Sequence, residues 1–263
     1  MEAGTLGKTG DGKNGVERIT VMLPSGGRGE RLAELAEARG INKTVIRVRG
    51  LTLIERTIGL YTRIGIRNFV VLTCHRAESI RKVLGDGRKL GINVAYSADP
   101  GRAAGKGGAI LHALKRGVLS ADSRCIVHNP DDQIVGLDGT FARNILSAHV
   151  SAVRRGAWGT AVCVPSTEYP YTSLTVRGGM AVAARMYPDV PIPTHVGVTV
   201  MESAALASFR RLIKPGKKID FESIVLPWLA RRRRLGYAEI PAGSWIPVND
   251  MKSYRKLLSA LKK

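Results

Sequence analysis

Short apolar, β-branched runs alternate with helix-periodic stretches from Arg18 to Val164, and this rhythm is the strongest constraint on the fold. Arg18–Ser25, Phe69–Cys74, Ile92–Ala98, Arg124–His128 and Trp158–Val164 read as strands. The intervening spacing predicts helices at Glu30–Arg39, Leu51–Ile64, Glu78–Leu84, Ala109–Val118 and Phe141–Val153, with a short extended segment at Thr44–Val48. In Leu51–Ile64 the apolar positions Ile54, Ile58, Tyr61 and Ile64 fall on one face. A β-α-β-α order joins parallel strands through helical crossovers. The expected fold class is therefore α/β, a Rossmann-like, mainly parallel mixed sheet with helices on both faces.

After Pro165 the rhythm changes. Leu174–Val176 and Met180–Met186 read as a hairpin around Gly178-Gly179, followed by a strand at Val196–Met201. Ala204–Ile213, Phe221–Arg234 and Met251–Leu261 read as helices, and Tyr237–Ile240 and Trp245–Val248 as short strands. This half is expected to form an inserted mixed lobe. Residues 1–17, rich in Gly and Lys, read as a disordered leader, and 18–263 as a single domain.

Composition excludes several classes. With 44% hydrophobic and 24% charged residues, the chain has the ordinary mix of a folded protein. It has no apolar run of about 18 residues, so no spanning helix is expected. Met1–Arg18 lacks the apolar core of a secretory signal, which points to a cytoplasmic location. Cys74, Cys125 and Cys163 are odd in number and scattered, so they read as buried thiols rather than a disulfide framework or zinc cluster. The net charge is +20; Phe209–Lys263 holds 14 basic and 4 acidic residues, a net of +10. Such a field attracts phosphorylated substrates and other polyanions.

The chemistry concentrates where the first strand ends, at Ser25-Gly-Gly-Arg-Gly-Glu-Arg-Leu32. Glycines let backbone amides approach phosphate oxygens, and Arg28 and Arg31 add bidentate donors. A helix N-terminus after the turn would add its partial positive charge. No Lys-Ser or Lys-Thr follows at Walker spacing, and the third glycine of a dinucleotide fingerprint is missing. The segment reads as a triphosphate cradle of another kind.

Together with Lys43 and Val48-Arg-Gly-Leu-Thr-Leu-Ile54, this segment resembles the opening of the sugar-phosphate nucleotidyltransferase family, Gly-Gly-x-Gly-x-Arg-Leu followed by an essential lysine. Gly105-Lys-Gly-Gly-Ala-Ile110 is similar to the family's base-bordering glycine segment, and Val127-His-Asn-Pro-Asp131 to its metal-binding Asn-Gly-Asp. Trp245–Tyr254 is similar to its late Trp-x-Asp segment. The resemblance implies a nucleotide-binding half at 18–165 and a sugar-phosphate-binding half at 166–263. It implies Arg31, Lys43 and Asp131 as catalytic residues. Leu23, Ser25, Gly26, Gly27, Arg28, Gly29, Gly105 and Gly108 would bind the nucleotide. The cofactor implied is Mg²⁺, held by Asp131.

The pattern also departs from the family. The late metal aspartate falls on Pro247, with Asp250 three residues on as its substitute or as an exposed helix cap. The family's second lysine falls on Leu51, and no Glu-Lys-Pro stands between Val176 and Tyr187; Arg185 and His195 are the nearest candidates for sugar-phosphate contact.

The expected partners are an NTP and a sugar 1-phosphate, with neither membrane nor nucleic acid; a homo-oligomer stays open. The alternatives are a cytidylyltransferase of a polyol or choline phosphate, a non-catalytic nucleotide-binding homologue, and a basic RNA-binding protein.

Overall fold

The computed structural model describes residues 18–29, 32, 35–36, 38–99 and 104–261. In chain order the elements are β1 (Thr20–Ser25), β2 (Arg47–Val48), β3 (Leu51–Thr52), α1 (Leu53–Thr62), β4 (Asn68–Thr73), α2 (Ala77–Leu84), β5 (Asn93–Ala98), α3 (Gly105–Lys115) and β6 (Cys125–His128). Next come β7 (Asp132–Ile134), α4 (Phe141–Arg154), β8 (Gly159–Val164), β9 (Thr167–Glu168), β10 (Thr172–Arg177), β11 (Met180–Met186), β12 (Asp189–Val190) and β13 (Thr194–Met201). Last are α5 (Ser203–Leu212), α6 (Phe221–Arg231), β14 (Leu235–Glu239), β15 (Trp245–Pro247) and α7 (Met251–Ala260). Among the described residues no helix is long and apolar enough to cross a membrane.

The central sheet has seven strands in the order β14-β8-β13-β6-β1-β4-β5. Only β13 runs antiparallel to its neighbours; β1/β4, β1/β6, β4/β5 and β14/β8 are parallel. The mainly parallel sheet expected from the alternation is thus present. The inner strands β1, β4, β6 and β8 read as nearly unbroken apolar runs because both faces are covered, whereas the edge strands β5 and β14 are partly exposed. On β1, Val21 and Leu23 enter a core with Ile54 and Ile58 of α1 and Phe141 and Ile145 of α4. Met22 enters the opposite core, with Ile110 and Leu114 of α3, Phe209 of α5 and Leu229 of α6. A third cluster joins Leu32, Ile46 and Val48 to Ile246, Val248 and Leu257, so the late β15–α7 segment packs beside the glycine turn.

Several boundaries differ from expectation for tertiary reasons. Positions 30, 31, 33, 34 and 37 of the expected Glu30–Arg39 helix lie outside the described residues; Leu35 and Ala36 are in turns, their N–H groups donating to the Leu32 carbonyl. Lys43–Val45 forms a 3₁₀ turn rather than extended chain, because the Asn42 side chain accepts from the Thr44 N–H and caps it. Helix α3 starts at Gly105, four residues before its apolar periodicity. There the Lys106 N–H donates to Asp220 Oδ1 and the Gly107 N–H to the Ile219 carbonyl, so a distant loop satisfies amides a helix start leaves free.

Two interactions hold the antiparallel strand in place. At its end, Glu202 Oε1 accepts from Arg124 Nε at 2.6 Å and lies 2.9 Å from Nε2 of the fully buried His149, whose Nδ1 is 2.8 Å from Thr160 Oγ1. This links β13, α4, β8 and the chain entering β6. At its bulge, Gly197 has φ +71°, and a Cβ there would overlap Asp132 Oδ2.

Two stability predictions follow from these contacts. Gly197→Ala should lower unfolding free energy by about 2–4 kcal/mol, from left-handed strain plus overpacking, as read by urea denaturation. The Glu202 carboxyl is held below its usual range, first by the His149 hydrogen bond and then by Arg124, against the opposing effect of burial. Its contribution is complete above the unfolded pKa of about 4.3 and is lost as pH falls through the lower folded value. Glu202→Gln should therefore cost about 2 kcal/mol at pH 7, and melting curves of variant and wild type should converge as pH drops.

Candidate active site

Strands β4 and β5 lie on one side of β1, and the chain then crosses to place β6 on the other. The crevice beyond the carboxyl ends of β1 and β6 is thus the topological switch point, where open α/β sheets bind ligands. A cavity of about 740 Å³ opens there, lined by Ser25–Gly29, Lys43, Gly105, Lys106 and Asp131 among others.

The glycine turn and Lys43 are built as one unit. Gly29 has φ +70°, and a Cβ on it would come within 2.8 Å of Lys43 Cβ. Glycine is required here so that the lysine stem can pass. A Cβ on Gly26 would stand 3.1 Å from Cys74 Cβ, whereas Gly27 faces open space and Arg28 is exposed on the cavity rim. Buried Asn42 joins the parts. Its Nδ2 donates to the Ser25 carbonyl at 2.9 Å and the His75 carbonyl at 2.8 Å, while its Oδ1 caps the turn carrying Lys43. Sequence reasoning missed Asn42; its place directly before the lysine was the available signal.

Lys43 Nζ donates to Asp131 Oδ2 at 2.5 Å and to Asn249 Oδ1 at 3.3 Å. Lysine and aspartate are 88 residues apart in sequence and partly buried. Asp131 is fixed from behind: its carbonyl accepts from the Val248 N–H at 2.8 Å. Next to it, the Asp132 carboxylate accepts from Trp245 Nε1 at 2.9 Å and Asn129 Nδ2 at 2.9 Å. Burial, then the adjacent Asp131 charge, push the Asp132 carboxyl well above its ordinary range. Buried His128 supports the same turn. Its Nε2 is 2.8 Å from the Asp132 carbonyl, which can only accept, so Nε2 carries the proton and Nδ1 accepts from the Tyr61 hydroxyl at 2.7 Å. Burial lowers the His128 pKa to about 4, which keeps the ring neutral. His128 is a positioning residue that its strand-like surroundings did not reveal.

The opposite wall is the start of α3. Gly105 lines the cavity with φ +72°, and its missing Cβ admits the Ile219 backbone. Lys106, Lys218, Asp220 and Asp99 also line the cavity, and Lys106 pairs with Glu222. Of the other residues singled out in the sequence, Leu23 is fully buried in the core and Gly108 packs toward Ala104. Arg185 is exposed on β11, and His195 bonds within β13 through Nε2 to the Val198 carbonyl and Thr199 Oγ1, both at 3.0 Å. None of these four lines the cavity. Arg31 lies outside the described residues. Asp250 is an exposed cap of α7, its Oδ1 accepting from the Ser253 N–H at 2.8 Å; Asn249 occupies the cavity wall instead.

The donor set suits a hard cation. Asp131, Asn129 and Asn249 line the cavity, and among the described residues Asn129 Oδ1 is buried without a hydrogen-bond partner. Among the described residues no cluster of three His, Cys, Asp or Glu side chains forms a full cage. Mg²⁺ needs none, since it takes one or two carboxylates and completes its shell with water and substrate phosphates.

Known proteins carry the same architecture. A structure from Bacillus anthracis described as a glucose-1-phosphate thymidylyltransferase, solved with sucrose, superimposes with a TM-score of 0.69 over 92% of this chain and 94% of its own, at 16% identity. The N-acetylmuramate alpha-1-phosphate uridylyltransferase of Neisseria meningitidis serogroup B is 29% identical over 137 residues, 51% of this chain. That match spans 57% of the relative's length. The nucleotidyl transferase family matches residues 20–172, which include the glycine turn, Lys43 and Asp131. With more than half its length in that match, and with its glycine turn, lysine and aspartate gathered in one cavity, the chain belongs to the nucleotidyl transferase family.

Proposed function

We propose that the protein transfers a nucleotidyl group from an NTP to a sugar 1-phosphate, releasing pyrophosphate. The observation that carries this reading is the Lys43 ammonium set against the Asp131 carboxylate beside the glycine turn. Both relatives are named for transferring a pyrimidine nucleotide, and both names specify a sugar 1-phosphate, so UTP and dTTP are the first donors to test. In this reading residues 18–165 hold the nucleotide, 166–263 complete the acceptor side, and the reaction is a cytoplasmic one.

The chemistry needs charge and alignment more than proton transfer. A phosphate monoester is largely dianionic at neutral pH, with a second pKa of about 6, so its oxygen attacks without a general base. A bond forms from that oxygen to the α-phosphorus, and the bond from the α-phosphorus to the bridging oxygen breaks in line, sending the electron pair to pyrophosphate. The open backbone at Gly27 admits the triphosphate. Arg28 and Lys218, cations on the cavity wall, neutralise the departing pyrophosphate. Lys43, already held at the floor, faces the α-phosphate. Asp131, with Asn129 Oδ1 and Asn249 as further oxygens, would hold Mg²⁺, which supplies Lewis-acid charge neutralisation when bound.

Pyrophosphate release from a panel of NTPs and sugar 1-phosphates, with Mg²⁺, tests this function. We expect turnover with one preferred pair; silence across the panel contradicts the proposal. Lys43→Ala and Asp131→Asn should each lower kcat by about 10²–10³-fold while leaving the thermal melting point within a few degrees. Wild-type turnover in either variant would remove that residue from the mechanism.

A further inference from the structure

Two phosphorylated molecules must meet in one cavity, and its cations are few. Among the described residues the lysines and arginines that line it are Arg28, Lys43, Lys106 and Lys218. In the proposed reaction Arg28 and Lys218 serve the departing pyrophosphate and Lys43 the α-phosphate. The acceptor's phosphate dianion is left without a counter-charge, and Lys106 is the cation left over.

Lys106 is held in a fixed direction. Its backbone N–H donates to Asp220 Oδ1, which pins the start of α3 against the start of α6. Its ammonium pairs with Glu222 and stands 5.9 Å from the centre of the Phe221 ring. Glu222 Oε2 is buried with no hydrogen-bond partner among the described residues, so holding Lys106 is the one hydrogen-bonding task of this carboxylate. An ammonium has three donors, and Glu222 takes one. The other two have no partner among the described residues and are open to a ligand.

Position sets Lys106 apart from the triphosphate cradle. In the sheet, β1 and β6 stand between β4 and β13. The glycine turn leans toward β4: the N–H of His75, just past that strand, donates to the Gly26 carbonyl, and a Cβ on Gly26 would stand 3.1 Å from Cys74 Cβ. The Lys106–Glu222 pair lies on the other side, at the start of α6, which leads into β14 and so to β8, beyond β13. The Lys106 charge accordingly reaches Asp132, where it opposes the upward push of burial and of Asp131 on that carboxyl. Asp132 Oδ2 in turn fills the space a Gly197 side chain would take on β13. Lys43 and Asp131 stand between the two sides. In-line displacement puts the attacking and leaving oxygens on opposite sides of the α-phosphorus. With pyrophosphate leaving toward the glycine turn, the attacking phosphate arrives from the side of Lys106.

We propose that Lys106, aimed by Glu222, binds the phosphate of the sugar 1-phosphate and holds it in line behind the α-phosphorus. This rests on the nucleotidyl transfer proposed above. Lys106 touches the acceptor, and Glu222 is a positioning residue. The contact is to the phosphate, so it is common to every sugar 1-phosphate the protein accepts.

Steady-state kinetics of the full chain in both directions, with Mg²⁺ and the preferred substrate pair, test this. Lys106→Ala loses a charge-assisted hydrogen bond to the acceptor, so its KM for the sugar 1-phosphate should rise about 10–100-fold. Its KM for the NTP should stay within about twofold of wild type. Lys106→Arg should recover most of the loss. In reverse, pyrophosphate is the attacking group and enters on the glycine-turn side. Its KM should be unchanged in Lys106→Ala and raised in Arg28→Ala. If circular dichroism shows Lys106→Ala misfolded, Lys106→Met, which keeps an apolar stem, decides in the same way. An acceptor KM that stays at the wild-type value, or a rise in the KM for NTP or pyrophosphate instead, overturns the assignment and leaves the transferase standing. A wild type that releases no pyrophosphate with any pair overturns the transferase, and the assignment falls with it.

Discussion

Lys43 passes close against Gly29 before its ammonium reaches Asp131, and the arrangement of the whole site follows from that passage. The lysine reaches the aspartate because β1 and β6 are parallel neighbours whose carboxyl ends lie at the same edge of the sheet, and because the turn after β1 lacks a side chain at position 29. The parallel sheet supplies the first condition and the glycine the second. Asn42 then ties the turn that carries the lysine to the Ser25 carbonyl at the end of β1 and the His75 carbonyl just past β4. An opposite-charge pair held this way is a preorganised site: its groups stay aimed at the place where phosphate charge gathers, with little rearrangement left for the reaction.

The acidic side is held as firmly by neutral groups. His128 and Tyr61 fix the Asp132 backbone from inside the core, and Trp245 and Asn129 take its carboxylate. Asp132 is consumed by structure, so Asp131 is left facing the cavity. Two adjacent aspartates thereby acquire different roles from their surroundings alone. Val248 and Asn249 show why the third core, which joins the glycine segment to β15 and α7, matters here: it brings residues from the late part of the chain to the same floor.

Much of this was legible in the sequence because it depends on local pattern. The strands of the central sheet, the glycine turn, Lys43 and Asp131 carry their signals within a few residues. What escaped was set by contacts far along the chain. The start of α3 lies in a glycine run that reads as loop until residues 219–220 satisfy its amides. The short β7 is a strand only because β15 pairs with it. Asp250 carries the right chemistry for a ligand, but the capping of α7 claims it, while its neighbour Asn249 turns inward. Asn42 and His128 have no motif at all; their importance lies in what they bond to.

In the proposed reaction the Lys43–Asp131 pair organises metal-dependent triphosphate binding. Calorimetric titration of UTP into wild type and Asp131→Asn, with and without Mg²⁺, tests it most directly. Mg²⁺ should tighten binding to the wild type, and the gain should vanish in Asp131→Asn. An equal Mg²⁺ gain in both proteins would contradict it.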